Sequence, residues 1–325
     1  MTAKQRIFVT GGTGFFGKSI LSQWQRTPQP NTELVILSRN SDTFLSCNPC
    51  FQGITDVSFI NGDVRNFAFP DGDFSAVIHA ATPATQFITD AEMSSIILEG
   101  TKRVLEFCKI RSIQKLLYIS SGAVYGEMPS GVKQMAESMP CQPQTVYGKS
   151  KLQAEYLCLD SGMECRIARC FAFVGEYLPL NQHFAIGNFI LDCLQQRPIH
   201  IKGDGTALRS YLYARDLVHQ LWALIDCADP DLIINIGSDR AISIRALAEL
   251  IRDCAETKNE IMVSNLSGVN RTTSCYIPDI SLARRLLKIG ELTSLETALR
   301  QVIHFHRNDY PSTYNDLTSG STMPM

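Results

Sequence analysis

Tyr147 and Lys151, in Tyr147-Gly-Lys-Ser-Lys151, carry a phenol and an ammonium four residues apart, a spacing that sets both on one helix face a turn apart. A tyrosine with a pKa of about 10 is a poor base near neutrality. A neighbouring lysine cation stabilises its phenolate, so the pair can move a proton to or from a carbinol oxygen. Upstream, Tyr118-Ile-Ser-Ser-Gly-Ala-Val-Tyr-Gly126 reads as a strand that ends in hydroxyls. Ser121 can then share a substrate's hydroxyl hydrogen with Tyr147. Tyr-x-x-x-Lys alone is a common chance match, and an amphipathic helix with a surface tyrosine and lysine explains most instances. Here its weight comes from the motifs that accompany it.

Thr10-Gly-Gly-Thr-Gly-Phe-Phe-Gly17 follows a short apolar run and opens a helix-like one. Gly11, Gly14 and Gly17 permit close approach of backbone to a pyrophosphate, which would rest on the helix N-terminus where free N–H groups point outward. Phe15 and Phe16 belong to the same dinucleotide-binding loop. The second strand ends Val35-Ile-Leu-Ser38-Arg39, where an NAD site usually offers a carboxylate to the ribose 2′-hydroxyl. A hydroxyl and a guanidinium suit a 2′-phosphate, which favours NADP, with NAD the alternative if Arg39 stacks on the adenine or faces solvent. Asp63, beside Val64 after the third strand, either accepts from the adenine amine or shapes a turn.

These residues need elements to hold them. Short β-branched runs alternate with helical segments: 7–10, 17–25, 34–37, 76–79, 96–110 and 115–120, then a helix over 146–159. Such βαβ units predict an α/β fold, a doubly wound parallel sheet with ligands beyond the carboxyl ends of its strands. After Arg166-Ile-Ala-Arg169 the pattern turns irregular, which predicts a smaller, interleaved C-terminal substrate-binding lobe. The expected organisation is 1–170 for the dinucleotide-binding domain, with segments around 210–240 returning to it, 171–310 mainly for the lobe, and 311–325 for a mobile tail.

Composition excludes other classes. Lys plus Arg minus Asp plus Glu is 30 − 32 = −2, so no positive field draws nucleic acid or an anionic membrane. The 45% hydrophobic content can build a sizeable core, yet no apolar stretch reaches the ~18 residues of a membrane span. The N-terminus leaves no room for a signal peptide, so a cytoplasmic protein is expected. Eleven cysteines are too few for a disulfide scaffold. Cys47-Asn-Pro-Cys50 lacks the second cysteine pair a zinc site needs, and His304 and His306 point to different sides of a helix, so no metal is expected.

Taken together, the motifs resemble the extended short-chain dehydrogenase/reductases, specifically the NAD-dependent epimerase/dehydratase group acting on nucleotide sugars. The resemblance spans about residues 6 to 306 and includes Val77-Ile-His-Ala-Ala81, Gly100-Thr101, Arg169 to Gly175 and Gly203-Asp-Gly-Thr-Ala-Leu-Arg-Ser-Tyr-Leu-Tyr-Ala-Arg-Asp216. It implies that Ala80 and Ala81 line the nicotinamide side of the cleft, that the oxidised nicotinamide's charge helps stabilise the Tyr147 phenolate, and that His79 packs near the cofactor. Arg209 resembles an arginine that contacts the nucleotide diphosphate, a surface-loop arginine being the alternative. A homodimer through helix 96–110 and the Tyr147 helix is implied on the same ground.

Departures narrow the chemistry. Related 4,6-dehydratases need an Asp-Glu pair just after the catalytic Ser/Thr, and resembling sugar-acid decarboxylases carry the Glu; this chain has Gly122 and Ala123. Neither residue titrates. What remains is hydride chemistry at one carbinol or ketone, the sugar C4: a 4-ketoreductase, slightly favoured by Ser38-Arg39, or a 4-epimerase. Ala172 and Ile97 stand where many relatives have Asn, and Asn188 either replaces that contact or starts a helix. The competing classes are a reductase of small non-sugar carbonyl compounds and an NADP-sensing binding protein, though sensors generally lose the Tyr/Lys pair.

Overall fold

The computed structural model describes residues 4–308 apart from 84–87, 130, 183 and 265–273. The expected tail, 311–325, and His183 lie outside the described residues.

Strands β1 (Gln5–Thr10), β2 (Thr32–Ser38), β3 (Val57–Asn61), β4 (Ala76–His79), β5 (Lys115–Ser121) and β6 (Glu164–Cys170), with a seventh, Leu232–Ile236, form one sheet. Every pairing in it is parallel, and the order is Leu232–Ile236, β6, β5, β4, β1, β2, β3. The order reverses between β1 and β4, which opens the ligand crevice beyond their carboxyl ends. The strands are apolar runs because both faces are covered. Val9, Ile36, Ile78 and Ile119 pack with Ile20 and Leu21 of α1 (Phe15–Arg26) on one face. After α2 (Ser41–Cys47), helices α3 (Asp90–Ile110) and α4 (Val146–Leu159) cover the other, where Phe8, Val35, Val77 and Leu116 meet Val104, Phe107, Ala154 and Cys158.

Helix α3 starts at Asp90, six residues before the apolar pattern begins. Thr89 caps it by accepting from Glu92 N, and Asp90 and Glu92 suit the positive end of the helix dipole, so polar signals extend it beyond its apolar stripe.

Beyond β6 the chain builds α5 (Ala185–Leu194), α6 (Ala214–Ile225), α7 (Ile244–Cys254), α8 (Ser281–Leu286) and α9 (Leu295–Asn308). Helices α5, α7 and α9 share a second core containing Ile186, Phe189, Leu247, Ile251, Leu299 and Val302. The segment 214–236 returns to the main sheet: Leu217 and Leu221 of α6 join the core of α1, and Leu232–Ile236 pairs β6. A small sheet sets Leu208–Arg209 between Ile242–Ser243 and Cys275–Tyr276. No helix among the described residues is long and apolar enough to cross a membrane.

Candidate active site

The loop after β1 is shaped by absent side chains. Gly11 has φ +72°, and a Cβ there would sit 2.6 Å from the carbonyl group of Ala80, so only glycine lets this turn lie against the end of β4. Thr10 Oγ1 accepts from Ala81 N at 3.2 Å and locks the two strand ends together. His79 bridges Thr10 Oγ1 at 2.7 Å and Thr101 Oγ1 at 3.0 Å; burial pushes its pKa down to about 3, so it is a neutral structural bridge. Gly14 precedes α1, no side chain caps that helix, and a Cβ at Gly14 would have no neighbour nearer than 3.5 Å. The first N–H groups of α1 are therefore open toward the crevice, a cradle that fits a pyrophosphate. Phe15 and Phe16 pack against Phe173 beside it.

At the end of β2, Ser38 is buried and its hydroxyl accepts from Asn40 N at 3.2 Å. Arg39 is exposed and close enough to Asp63 to lower that carboxyl's pKa, although Arg65 is the larger cause. Asp63 shapes a turn by accepting from Arg65 N and pairs the Arg65 side chain through both oxygens, at 2.8 and 3.0 Å. The turn role is therefore present, and Oδ2 retains a lone pair for a further donor. Val64 is buried against Gly100, where a Cβ would lie 2.8 Å from its methyl carbon.

At the carboxyl end of β5 the candidate catalytic groups converge. Thr145 caps α4 by accepting from Gly148 N at 3.1 Å, and Gly148 lets that turn approach the Ala123 carbonyl. Ser121 Oγ accepts from Ala123 N at 3.1 Å, which directs its hydrogen away from the turn. It also shares a hydrogen bond with Tyr147, which opposes the upward push that burial gives the phenol's pKa. Lys151 is 2% exposed, and its Nζ donates to Thr82 Oγ1 and to Ile119 O, each at 2.7 Å. Desolvation lowers the lysine pKa to about 8. Ser121 and Tyr147, read from separate segments, thus share a hydrogen bond, and Lys151 stands one helical turn from Tyr147 with its ammonium fixed to Ile119 O of the strand that ends in Ser121.

Tyr276 completes this wall and carries no sequence signal. It lies 129 positions beyond Tyr147 (276 − 147), yet it shares the Ser121 hydroxyl and packs its ring, tilted by 36°, against Phe171 with centroids 4.7 Å apart. Arg209 is its register partner, and donates to Leu208 O at 2.7 Å and Ser274 O at 3.1 Å. The arginine is thereby braced beside the reaction end. Asn188 is the fourth residue of α5, half-buried, so it does not start that helix. Of the lobe aromatics, Phe171, Phe173 and Phe189 are core and Phe184 is exposed. Ile97, where an Asn often stands, is buried core as well. Cys47 and Cys50 are exposed free thiols, and among the described residues no three His, Cys, Asp or Glu side chains gather as for a metal ion.

A doubly wound parallel sheet with a glycine cradle at β1 and a Ser/Tyr/Lys set at β5 and α4 defines the extended short-chain dehydrogenase/reductase class. Within it, the chain belongs to the NAD dependent epimerase/dehydratase family, whose model matches residues 7–237. Curated relatives include UDP-glucuronic acid decarboxylase 1 of Xenopus tropicalis, 28% identical over 94% of this chain and 73% of the relative. An uncharacterized UDP-glucose epimerase of Bacillus subtilis (strain 168) is 31% identical over 64% of this chain and 65% of its own. Among solved structures, UDP-glucuronic acid 4-epimerase from Bacillus cereus in complex with NAD superposes with a TM-score of 0.82 at 22% identity, covering 94% of this chain and 100% of that one. The dTDP-glucose 4,6-dehydratase from Bacillus anthracis, with NAD, gives 0.81 at 18% identity, covering 94% and 97%.

Proposed function

We propose that this protein is a nucleotide-sugar oxidoreductase that acts at the sugar C4, with Tyr147 as its general acid/base. The observation that carries the reading is the convergence of Ser121, Tyr147 and buried Lys151, beside a Gly122-Ala123 pair with nothing to titrate. The bound dinucleotide supplies the hydride donor or acceptor. Tyr147 gives a proton to the C4 oxygen in reduction and takes it in oxidation. Ser121, its own hydrogen directed outward by the Ala123 N–H, orients that oxygen. Lys151 places a fixed positive charge near the phenol and favours its ionised form. The open N–H groups of α1 hold the pyrophosphate, Ala80 and Ala81 line the nicotinamide side, and Arg209 and Asn188 face the substrate's phosphates.

Dehydration and decarboxylation are disfavoured although relatives carry those names, because Gly122 and Ala123 supply no carboxylate. Arg39 and Ser38, with no acid at the end of β2, support NADP and hence a 4-ketoreductase that consumes NADPH. A 4-epimerase is the second reading, favoured by the Bacillus subtilis relative named as an epimerase. Incubating the protein with a panel of nucleotide sugars and their 4-keto forms, with NADPH, separates the two. NADPH loss with a mass gain of two hydrogens identifies the reductase; an isomer of unchanged mass without net cofactor use identifies the epimerase. No turnover across the panel rejects both.

A further inference from the structure

Tyr147, Lys151 and Glu155 follow one another at intervals of four along α4, so the three share one helix face on successive turns. Glu155 is 1% exposed. Its carboxylate accepts from the Ser120 hydroxyl near the end of β5, and from Arg169 Nε at 3.1 Å and Nη2 at 2.7 Å near the end of β6. Ser120 and Arg169 are register partners across those strands. The Arg169 guanidinium lies 4.9 Å over the Tyr125 ring, and Tyr125 Oη donates to Asn235 Oδ1 at 2.8 Å in the seventh strand. One carboxylate therefore ties α4 to two adjacent strand tips, a single residue before Ser121.

The same carboxylate bears on Lys151, whose hydrogen-bond acceptors, Thr82 Oγ1 and Ile119 O, are both neutral. Around the lysine and Tyr147 stand His79 on β4, Tyr118 on β5, Cys158 on α4, Cys170 on β6 and Tyr276 of the lobe. Burial keeps His79 neutral and holds Tyr118, Tyr147, Cys170 and Tyr276 protonated near neutrality, and a hydrogen bond with Cys165, aided by burial, does the same for Cys158. Arg169 is spoken for by Glu155 itself. Burial is the largest influence on the ammonium, followed by the Cys170 and Cys158 sulfurs; with those thiols protonated, Glu155 is, among the described residues, the carboxylate that acts on it.

We infer that Glu155 is a positioning residue, which holds the β5 and β6 tips beneath the reaction point and supplies the counter-charge for Lys151. The inference rests on reading Tyr147 and Lys151 as the proton-handling pair. Removing a negative charge favours proton loss from whichever of the two gives it up. Glu155→Gln should therefore lower the pH at which the pair sheds its first proton, by about one unit. Carbon NMR of isotope-labelled lysine, with the Lys151 signal assigned through Lys151→Met, reads this in the free protein. The alkaline limb of kcat should move with it. Glu155→Asp retains the charge and should restore most of the midpoint. Ser120→Ala loses one bond but no charge, and should leave the midpoint in place while lowering kcat.

A folded Glu155→Gln protein with the wild-type midpoint overturns the inference. Should the single variant not fold, Glu155→Gln with Arg169→Met removes the orphaned guanidinium; because a cation then leaves with the carboxylate, a smaller downward shift is expected, and an unmoved or raised midpoint again overturns it. The titration needs no substrate. A shifted midpoint in a protein that turns over no nucleotide sugar supports Glu155's action on Lys151 and rejects the proposed reaction separately.

Discussion

The hydroxyl of Tyr276 lies 2.5 Å from the point where a Cβ on Gly122 would stand. Phe171 closes the same space at 2.9 Å. Sequence alone gives Gly122 as a position without an acid; the structure adds that Tyr276 and Phe171 fill the place such an acid would need. Gly122→Asp should therefore create no dehydratase. Forcing a side chain into filled space costs about 1–3 kcal/mol, and the Ser121 hydroxyl should shift with Tyr276. Mass analysis of product and a thermal melt of Gly122→Asp check this: appearance of a dehydrated sugar contradicts it, and lowered turnover with a lowered Tm is the expected result.

Tyr147→Phe keeps the ring and deletes the proton. Loss of a general acid/base should cost ~10²- to 10⁴-fold in kcat, with the fold intact because the phenol gives up one hydrogen bond, to the Ser121 hydroxyl. Steady-state kinetics on the substrate found by the panel decide it, and a rate within about tenfold of wild type removes Tyr147 from its role.

Arg39 is exposed just beyond the end of β2, a position that carries no acid in the sequence. Arg39→Asp should repel a 2′-phosphate and accept a 2′-hydroxyl, turning the preference from NADP toward NAD. Fluorescence titration with both reduced cofactors reports the ratio of dissociation constants, and an unchanged ratio defeats the 2′-phosphate argument.

Lys151 has a pKa lowered to about 8 by burial, against an ordinary value of 10.5. Below pH 8 both the folded and unfolded chains hold this proton, and the cost of burying the charge is fully present. Between about 8 and 10.5 the folded chain has released it while the unfolded chain has not, so this group's contribution makes stability rise with pH. Wild type should therefore gain on Lys151→Met as pH climbs from 7 to 9.5, while wild-type kcat falls above about 8 as the ammonium is lost. Urea unfolding of both proteins at the two pH values measures the difference; a constant gap contradicts the buried-cation account.

Ile110 of α3 is 58% exposed and Tyr156 of α4 55%, two large apolar side chains outside on helices that pack together. A homodimer through this face is the arrangement we propose. Ile110→Glu with Tyr156→Glu should convert it to a monomer, since charges buried in such an interface are left desolvated. Sedimentation of wild type and double variant tests this, and identical mass for the two rejects the face.

Much of the site is local and was legible as sequence. Gly11 to Gly17 shape a strand-to-helix turn, Tyr147 and Lys151 share a helix face by spacing, and Ser121 ends an apolar strand; each signal spans fewer than a dozen residues. Glu155 extends that helical spacing by one more turn, and only the burial of Arg169 beside it gives it meaning. What the tertiary structure decided is how separate segments meet. Tyr276 reaches Ser121 through a small sheet that brings residues 208, 242 and 275 together, and Thr82 supplies Lys151 with an acceptor from another strand end. The desolvation that sets Lys151 near 8 likewise comes from packing of whole elements. Residue type and spacing determine which groups can do chemistry, whereas distance and dielectric between groups far apart in the chain exist only once it has folded.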